Sequence, residues 1–208
     1  MDFGFTPKEL RTLRSLKTPA KIQRFVEEMP YHHSKTAWSP RMVLRERTAH
    51  CLEGAIFAAA ALRVNGFPPL LFDLEGYRDS DHVLAIFQQR GHWGAIGKSN
   101  FSGLRYREPV YRTLRELAIS YFDDYFNDAG DRSLRAFATR PVDLSRFDPR
   151  NWMTAEKRES LWYIADHLCQ ISHTPILPRG MDKRLTRVDK RRLSAGFVGR
   201  QKPRKKNV

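Results

Sequence analysis

The fold is decided by residues 51–65, CLEGAIFAAAALRVN, which are almost wholly apolar. Alanine and leucine are strong helix formers, so this run predicts a central helix. Gly66 follows the run, and glycine commonly ends a helix by adopting a left-handed backbone conformation. Four consecutive alanines leave room for close packing against neighbouring elements. We therefore expect the rest of the chain to be built around this helix.

Three strand-like runs come after the central helix, at Leu70–Leu74, His82–Phe87 and Trp93–Gly97. The middle run, HVLAIF, is apolar at every position after its histidine, which is typical of a strand buried on both faces. The polar residues 88–91 predict a hairpin turn between the second and third runs. These features predict a small antiparallel sheet packed against the central helix.

Helices are predicted on both sides of this unit. Residues 7–29 carry apolar side chains at helical spacing and are interrupted by Pro19, which predicts two short helices. A longer helix is predicted over 110–126, and a last one over about 155–171. Because the helices are segregated from the strands along the chain, the expected fold class is α+β, not a doubly wound sheet.

The length and composition are those of one globular domain, which we place at residues 1–178. The chain has 208 residues, of which 41% are hydrophobic. No apolar run approaches the roughly 18 residues that a membrane span needs, and the N-terminus lacks the basic start of a signal peptide. Two cysteines are too few for a disulfide framework. We expect a cytoplasmic protein without membrane contact.

The positive charge is concentrated at the end of the chain. Residues 179–208 contain 12 Lys or Arg and two Asp, a net charge of +10 out of a total of +14. A segment of this composition predicts a flexible basic tail, from 179 to 208. It is either simply solvated or a non-specific contact for nucleic acid or an acidic surface. No nucleic-acid-binding motif accompanies it.

Cys51 is the strongest candidate for a chemically reactive residue. Thr48 is a suitable N-cap, which would place Cys51 in the first helical turn, where unpaired amides and the helix dipole stabilise a thiolate. A nucleophilic thiol also needs a base and an orienting group. His82 begins the central strand, and Asn100 follows the strand that pairs with it. A three-residue turn, Gln89–Gly91, makes Asn100 the diagonal neighbour of His82 on the same face of the sheet. With a two- or four-residue turn, Ser99 lies on that face instead.

Cofactor and metal sites are not expected. The histidines show no HExxH spacing and neither cysteine belongs to a CxxC pair, so zinc is not predicted. Gly97-Lys98-Ser99 is similar to the end of a P-loop, but His92 stands at the position of the first glycine and no helix follows directly. The predicted site therefore rests on side chains alone.

Residues 45–105 resemble the transglutaminase-like superfamily of cysteine enzymes, which has a papain-like fold. The resemblance is carried by the cysteine at the head of an Ala-rich helix, by Asp81-His82-Val83, and by the strand containing Trp93. It implies that Cys51 is the nucleophile and His82 the base. The acidic residue that orients the histidine in that family has no counterpart in Gly97-Lys98-Ser99-Asn100, so Asn100 is assigned that role.

The resemblance implies a cysteine hydrolase or acyl transferase that acts on an amide or peptide bond. The backbone amide of Cys51 would bind the oxyanion together with a second donor, for which Trp38 is a candidate. The helix terminus and His82 would lower the pKa of Cys51. The alternative is a non-catalytic binding module of the same fold, whose basic tail contacts nucleic acid or an acidic partner.

Overall fold

The computed structural model describes residues 2–156 and 161–202. Four helices precede the sheet: α1 (Pro7–Ser15), α2 (Pro19–Glu27), α3 (Pro40–Glu46) and α4 (Cys51–Val64). The later helices are α5 (Leu114–Ile119), α6 (Trp162–Gln170) and α7 (Lys190–Gly196). Two 3-10 helices cover Leu144–Arg150 and Asp182–Arg184. None of the helices in the described ranges is both long enough and apolar enough to cross a membrane.

The strands form one antiparallel sheet. They are β1 (Leu70–Gly76), β2 (His82–Gln89), β3 (His92–Ile96), β4 (Arg107–Tyr111), β5 (Leu134–Ala138), β6 (Val142–Asp143) and β7 (His173–Pro175). Their spatial order is β4-β3-β2-β1-β5-β7, and β6 pairs with the start of β1. An antiparallel sheet with separate groups of helices confirms the α+β class.

The sheet has a core on each face. We call the face that carries Val83, Ala85 and Phe87 the α4 face, because these side chains share a buried cluster with α1 to α4. The opposite side, the α5 face, carries Leu84 and Ile86, which pack with α5 and the residues around it. Strand β2 is therefore covered on both sides, which confirms the prediction from its continuous apolar run.

The central helix is confirmed, and its alanines pack as expected. Residues 55–62 of α4 are fully buried. Gly54 lies beneath the Lys98 side chain: an added Cβ would lie 2.4 Å from the Cβ of Lys98. A larger residue at 54 would therefore push the end of β3 away from the helix.

Two elements differ from the sequence prediction. The helix expected over 110–126 is replaced by β4 and the short helix α5, because the hydroxyl of Thr113 accepts from the Glu116 amide and starts the helix there. Pro109 lies in the edge strand β4, where a missing amide hydrogen is tolerated. The last helix begins at Trp162, and residues 157–160 of the predicted span lie outside the described residues.

The turn between β2 and β3 is also shorter than the three residues favoured for Asn100. Gln89 pairs with His92, which leaves the two residues Arg90 and Gly91 in the turn. Both have positive φ, at 50° and 76°, as a tight hairpin turn requires. Extending this register brings Ser99, and not Lys98, opposite His82.

Residues 179–202, the described part of the predicted flexible basic tail, contact the body of the protein. The Val188 amide donates to the Gly130 carbonyl at 3.0 Å, and the Ser102 amide donates to Gly196 at 3.0 Å. Arg200 makes two hydrogen bonds to the Asp128 carboxylate, at 2.8 and 3.0 Å. Spaced apolar residues and acidic partners on the body thus hold a segment whose composition alone suggested disorder. Residues 203–208 lie outside the described residues.

Candidate functional site

Cys51 is the first residue of α4, as predicted, but the N-cap is His50 and not Thr48. The Thr48 hydroxyl, two residues before the N-cap, instead donates to the Pro30 carbonyl at 2.9 Å. The backbone amides of Leu52 and Val83 lie close enough to the Cys51 sulfur to lower the pKa of the thiol. The thiol thus lies between the first turn of α4 and the beginning of β2.

The pKa of the Cys51 thiol is raised, which contradicts the expected lowering. Burial is the largest cause, because it disfavours the charged thiolate. The Val83 and Leu52 amides act in the opposite direction, and the negative charge of Asp73 raises the pKa further. In the free protein Cys51 is therefore held as a neutral thiol.

Tyr31 lies beside the thiol. Its hydroxyl contacts Cys51, and its own pKa is raised by burial and by the nearby thiol. A parallel bridge between Tyr31 and Ala49 fixes the position of its backbone just before α4. The loop that carries Tyr31 is thus part of the site.

A buried carboxylate anchors this loop to α4. Glu53 is fully buried, and its two oxygens bind groups from the loop and from the helix start. The donors are the Thr36 hydroxyl at 2.6 Å, His32 Nδ1 at 3.0 Å, the Trp38 amide at 3.1 Å and the His50 amide at 3.2 Å. Sequence reasoning missed Glu53 because it lies in an otherwise apolar helix and its partners are distant in the chain.

Trp38, the candidate second oxyanion donor, has a free buried indole N–H. Its Nε1 atom has no hydrogen-bond partner among the described residues, although the side chain is only 4% exposed. The ring stacks on His32 with 4.2 Å between centroids. An unpaired buried donor is costly unless a ligand group completes it.

His82 does not face the thiol. In the β1–β2 register, Val83 is opposite Asp73 and His82 is opposite Leu74, so the pleat directs His82 to the α5 face. Its Nε2 contacts the Leu104 carbonyl at 3.0 Å, and burial lowers its pKa to about 4. The predicted role as the base beside Cys51 is therefore contradicted by the side of the sheet that it occupies.

Asn100 does not orient His82 either. Its amide nitrogen donates to the Gln201 carbonyl at 2.8 Å, and its oxygen accepts from the Gln201 amide at 2.8 Å. Ser99, the alternative, accepts from the Phe101 amide at 3.0 Å. The Cys51-His82-Asn100 set is consequently not assembled.

A different acid–base pair lies on the same side as the thiol. Asp73 is opposite Val83 on the α4 face, is buried, and contacts His173 Nε2 at 2.9 Å. Burial raises the pKa of Asp73 to about 6, even though His173 lowers it. The other ring nitrogen of His173 contacts the Ile171 carbonyl at 3.0 Å. Both contacts are satisfied if the imidazole carries two protons, or if the Asp73 carboxyl donates to it.

Sequence reasoning missed this pair because neither residue stands out locally. Asp73 is one of two acids in the strand Leu70–Gly76, with Glu75, and His173 follows it by 100 residues. The β1-β5-β7 order of the sheet brings them together. A polar residue facing a helix from inside a buried strand was the available signal.

Comparison with known proteins assigns no function. A scan against protein families and a search of curated proteins both gave no match. Within residues 2–156 and 161–202, no group of three or more His, Cys, Asp or Glu side chains is arranged to hold a metal ion. The chemistry of the site is therefore argued from Cys51 and its neighbours.

Proposed function

We propose that the protein is a cysteine hydrolase or acyl transferase that acts on an amide or peptide bond, with Cys51 as the nucleophile. The observation that carries this proposal is the position of the thiol at the first residue of α4, beside the Leu52 and Val83 backbone amides, which lower its pKa. Backbone donors at this position stabilise negative charge on sulfur as it develops. The transglutaminase-like resemblance is part of the same proposal.

In the first step, the Cys51 sulfur attacks the carbonyl carbon and its proton passes to the Asp73 carboxylate. The resulting tetrahedral intermediate carries its charge on oxygen, where the Cys51 amide and the indole N–H of Trp38 donate. The carbon–nitrogen bond then breaks, and the amine leaves with the proton that Asp73 held. The acyl group is then released from the Cys51 thioester by attack of water in hydrolysis or of an amine in transfer.

Asp73 and His173 replace His82 and Asn100 as the acid–base pair in this proposal. A general base is most effective when its pKa is close to the working pH, and the pKa of Asp73 is about 6. His173 binds the carboxyl at 2.9 Å and fixes its orientation. The charge of Asp73 reaches the thiol, since it contributes to the raised pKa of Cys51.

The experiment is acylation by an activated ester, p-nitrophenyl acetate, followed by mass spectrometry. We expect one acetyl group on Cys51, absent in Cys51→Ser and unaffected in Cys169→Ser, which removes the exposed thiol. Asp73→Asn should slow acylation by about 10²–10⁴-fold, the usual contribution of a general base. If Asp73→Asn acylates at the wild-type rate while His82→Gln does not, the acid–base assignment is wrong. Labelling of Cys169 alone would reject the nucleophile.

The second candidate function is a non-catalytic binding module. It is favoured by the raised pKa of Cys51 and by the binding of Asn100 to Gln201, since neither feature suits a catalytic triad. Its partner would be nucleic acid or an acidic surface recognised by the basic C-terminal segment. It predicts salt-sensitive binding to a DNA or RNA duplex that Cys51→Ser leaves unchanged, together with no acetyl-enzyme.

A further inference from the structure

Gln201, in the C-terminal segment, is bound by three residues of the body. Asn100 pairs with both the amide and the carbonyl of Gln201, each at 2.8 Å. The Tyr31 amide donates to the Gln201 side-chain oxygen at 2.8 Å. His33 Nε2 contacts the Gln201 carbonyl at 3.0 Å. We call Tyr31, His33 and Asn100 the Gln201 site.

These contacts are of the kind that recognise an extended peptide. An asparagine side chain that both donates to and accepts from one residue's main chain reproduces half of a β-ladder pairing, and such contacts occur with any sequence. The Tyr31 amide adds a preference for a side chain with an acceptor oxygen.

The segment is held by contacts that are exchangeable. Gln201 and His33 are exposed, and solvent-accessible hydrogen bonds contribute little to stability. The preceding residue, Arg200, adds an exposed ion pair with Asp128, and exposed ion pairs also contribute little. A competing chain could therefore displace the segment without unfolding the body.

We infer that the Gln201 site is a peptide-binding site, and that the chain's own C-terminal segment occupies it in cis. Its partner is an extended, basic peptide with a glutamine flanked by cations, as in Arg200-Gln201-Lys202. The site adjoins the thiol, because the Tyr31 backbone binds Gln201 while the Tyr31 hydroxyl contacts Cys51. The inference does not depend on catalysis by Cys51.

The test is the binding of a fluorescein-labelled peptide, FVGRQK, which has the sequence of residues 197–202. It is measured by fluorescence anisotropy with full-length protein and with a chain ending at Gly196. We expect the shortened chain to bind at least tenfold more tightly, because its site is empty. Asn100→Ala in the shortened chain, or glutamine to alanine in the peptide, should each weaken binding five- to tenfold. All measurements are repeated with Cys51→Ser, which should change nothing.

Three results would overturn the inference. They are equal binding by the full-length and shortened chains, equal binding of the alanine peptide, and an Asn100→Ala variant that binds normally; the last two would indicate charge attraction only. If circular dichroism shows that the shortened chain is unfolded, full-length Gln201→Ala takes its place. It should bind the peptide about tenfold more tightly than full-length wild type, and no increase would reject the site. Loss of acylation without loss of peptide binding would reject only the proposed function.

Discussion

Replacing Lys98 with methionine should change how the stability of the protein depends on pH. The Lys98 ammonium is buried, and it donates to the carbonyls of Val26, at 2.9 Å, and Met29 at the end of α2. Burial, assisted by the positive charge of Arg105, lowers its pKa from 10.5 to about 8. The unfolded chain therefore binds this proton more tightly than the folded one.

The sign and size of the effect follow from the two pKa values. When the folded pKa of a base is lowered, stability rises with pH between the folded and the unfolded value. With values of about 8 and 10.5, the destabilisation due to Lys98 is about 3 kcal/mol at pH 7 and about 1.4 kcal/mol at pH 9.5. Wild type should therefore gain about 2 kcal/mol relative to Lys98→Met over this interval.

The absolute stability of Lys98→Met is a less useful measurement than this slope. Methionine removes the buried charge, but it also leaves the Val26 and Met29 carbonyls without their donor, at a cost of about 1–3 kcal/mol. These two effects are of similar size near pH 7. Subtracting the free energies of unfolding of the two proteins at each pH also cancels the contributions of all other titrating groups, including Cys51.

The assay is urea unfolding of both proteins between pH 7 and 9.5, where a change of about 2 kcal/mol corresponds to about 1 M in the midpoint. Lys21→Met, on the exposed side of α2, is the matched control and should run parallel to wild type. If the Lys98→Met and wild-type curves were parallel, Lys98 would have the same pKa in both states. The argument from burial would then be wrong.

The remaining predictions concern the other buried groups. The pKa of His82 is about 4 in place of 6.5, so the free energy of unfolding should fall by about 3 kcal/mol as the pH falls from 6.5 to 4. His82→Gln should remove this pH dependence from acid unfolding curves. Parallel curves for the variant and wild type would contradict the prediction. Gly54→Ala should lower the free energy of unfolding by about 1–3 kcal/mol, because the new Cβ would lie 2.4 Å from that of Lys98, and an equal or raised stability would show that β3 adjusts freely. Iodoacetamide should label Cys169, which is exposed, faster than Cys51 near neutral pH, the reverse of what a thiolate at a helix terminus predicts; peptide mapping decides between them.

The central elements could be predicted because their signals are local. The Ala-rich run forms α4, and the apolar run from His82 forms the central strand β2. By contrast, β5 and β7 contain only five and three residues, and they are stabilised by pairing partners distant in the chain. Short strands of this kind leave little periodicity in the sequence.

The side of β2 that His82 occupies could not be predicted, for a specific physical reason. A shift of one residue exchanges the two faces of a strand. In a strand with one polar face, the sequence shows which alternate residues point to the core. Strand β2 instead has apolar side chains on both faces, Val83 and Ala85 on one and Leu84 and Ile86 on the other. Only the pairing of Val83 with Asp73 decides it.

The raised pKa of Cys51 is compatible with a nucleophilic role when Asp73 is considered with it. The negative charge of Asp73 raises the pKa of the thiol, so burial and repulsion together oppose a state in which both groups are ionised. Passing the thiol proton to Asp73 does not create that state. It moves one negative charge from oxygen to sulfur, where the Val83 and Leu52 backbone lowers the pKa of the thiol, and it leaves a neutral carboxyl at Asp73. The unfavourable interaction thus applies to titration by base and not to transfer within the pair.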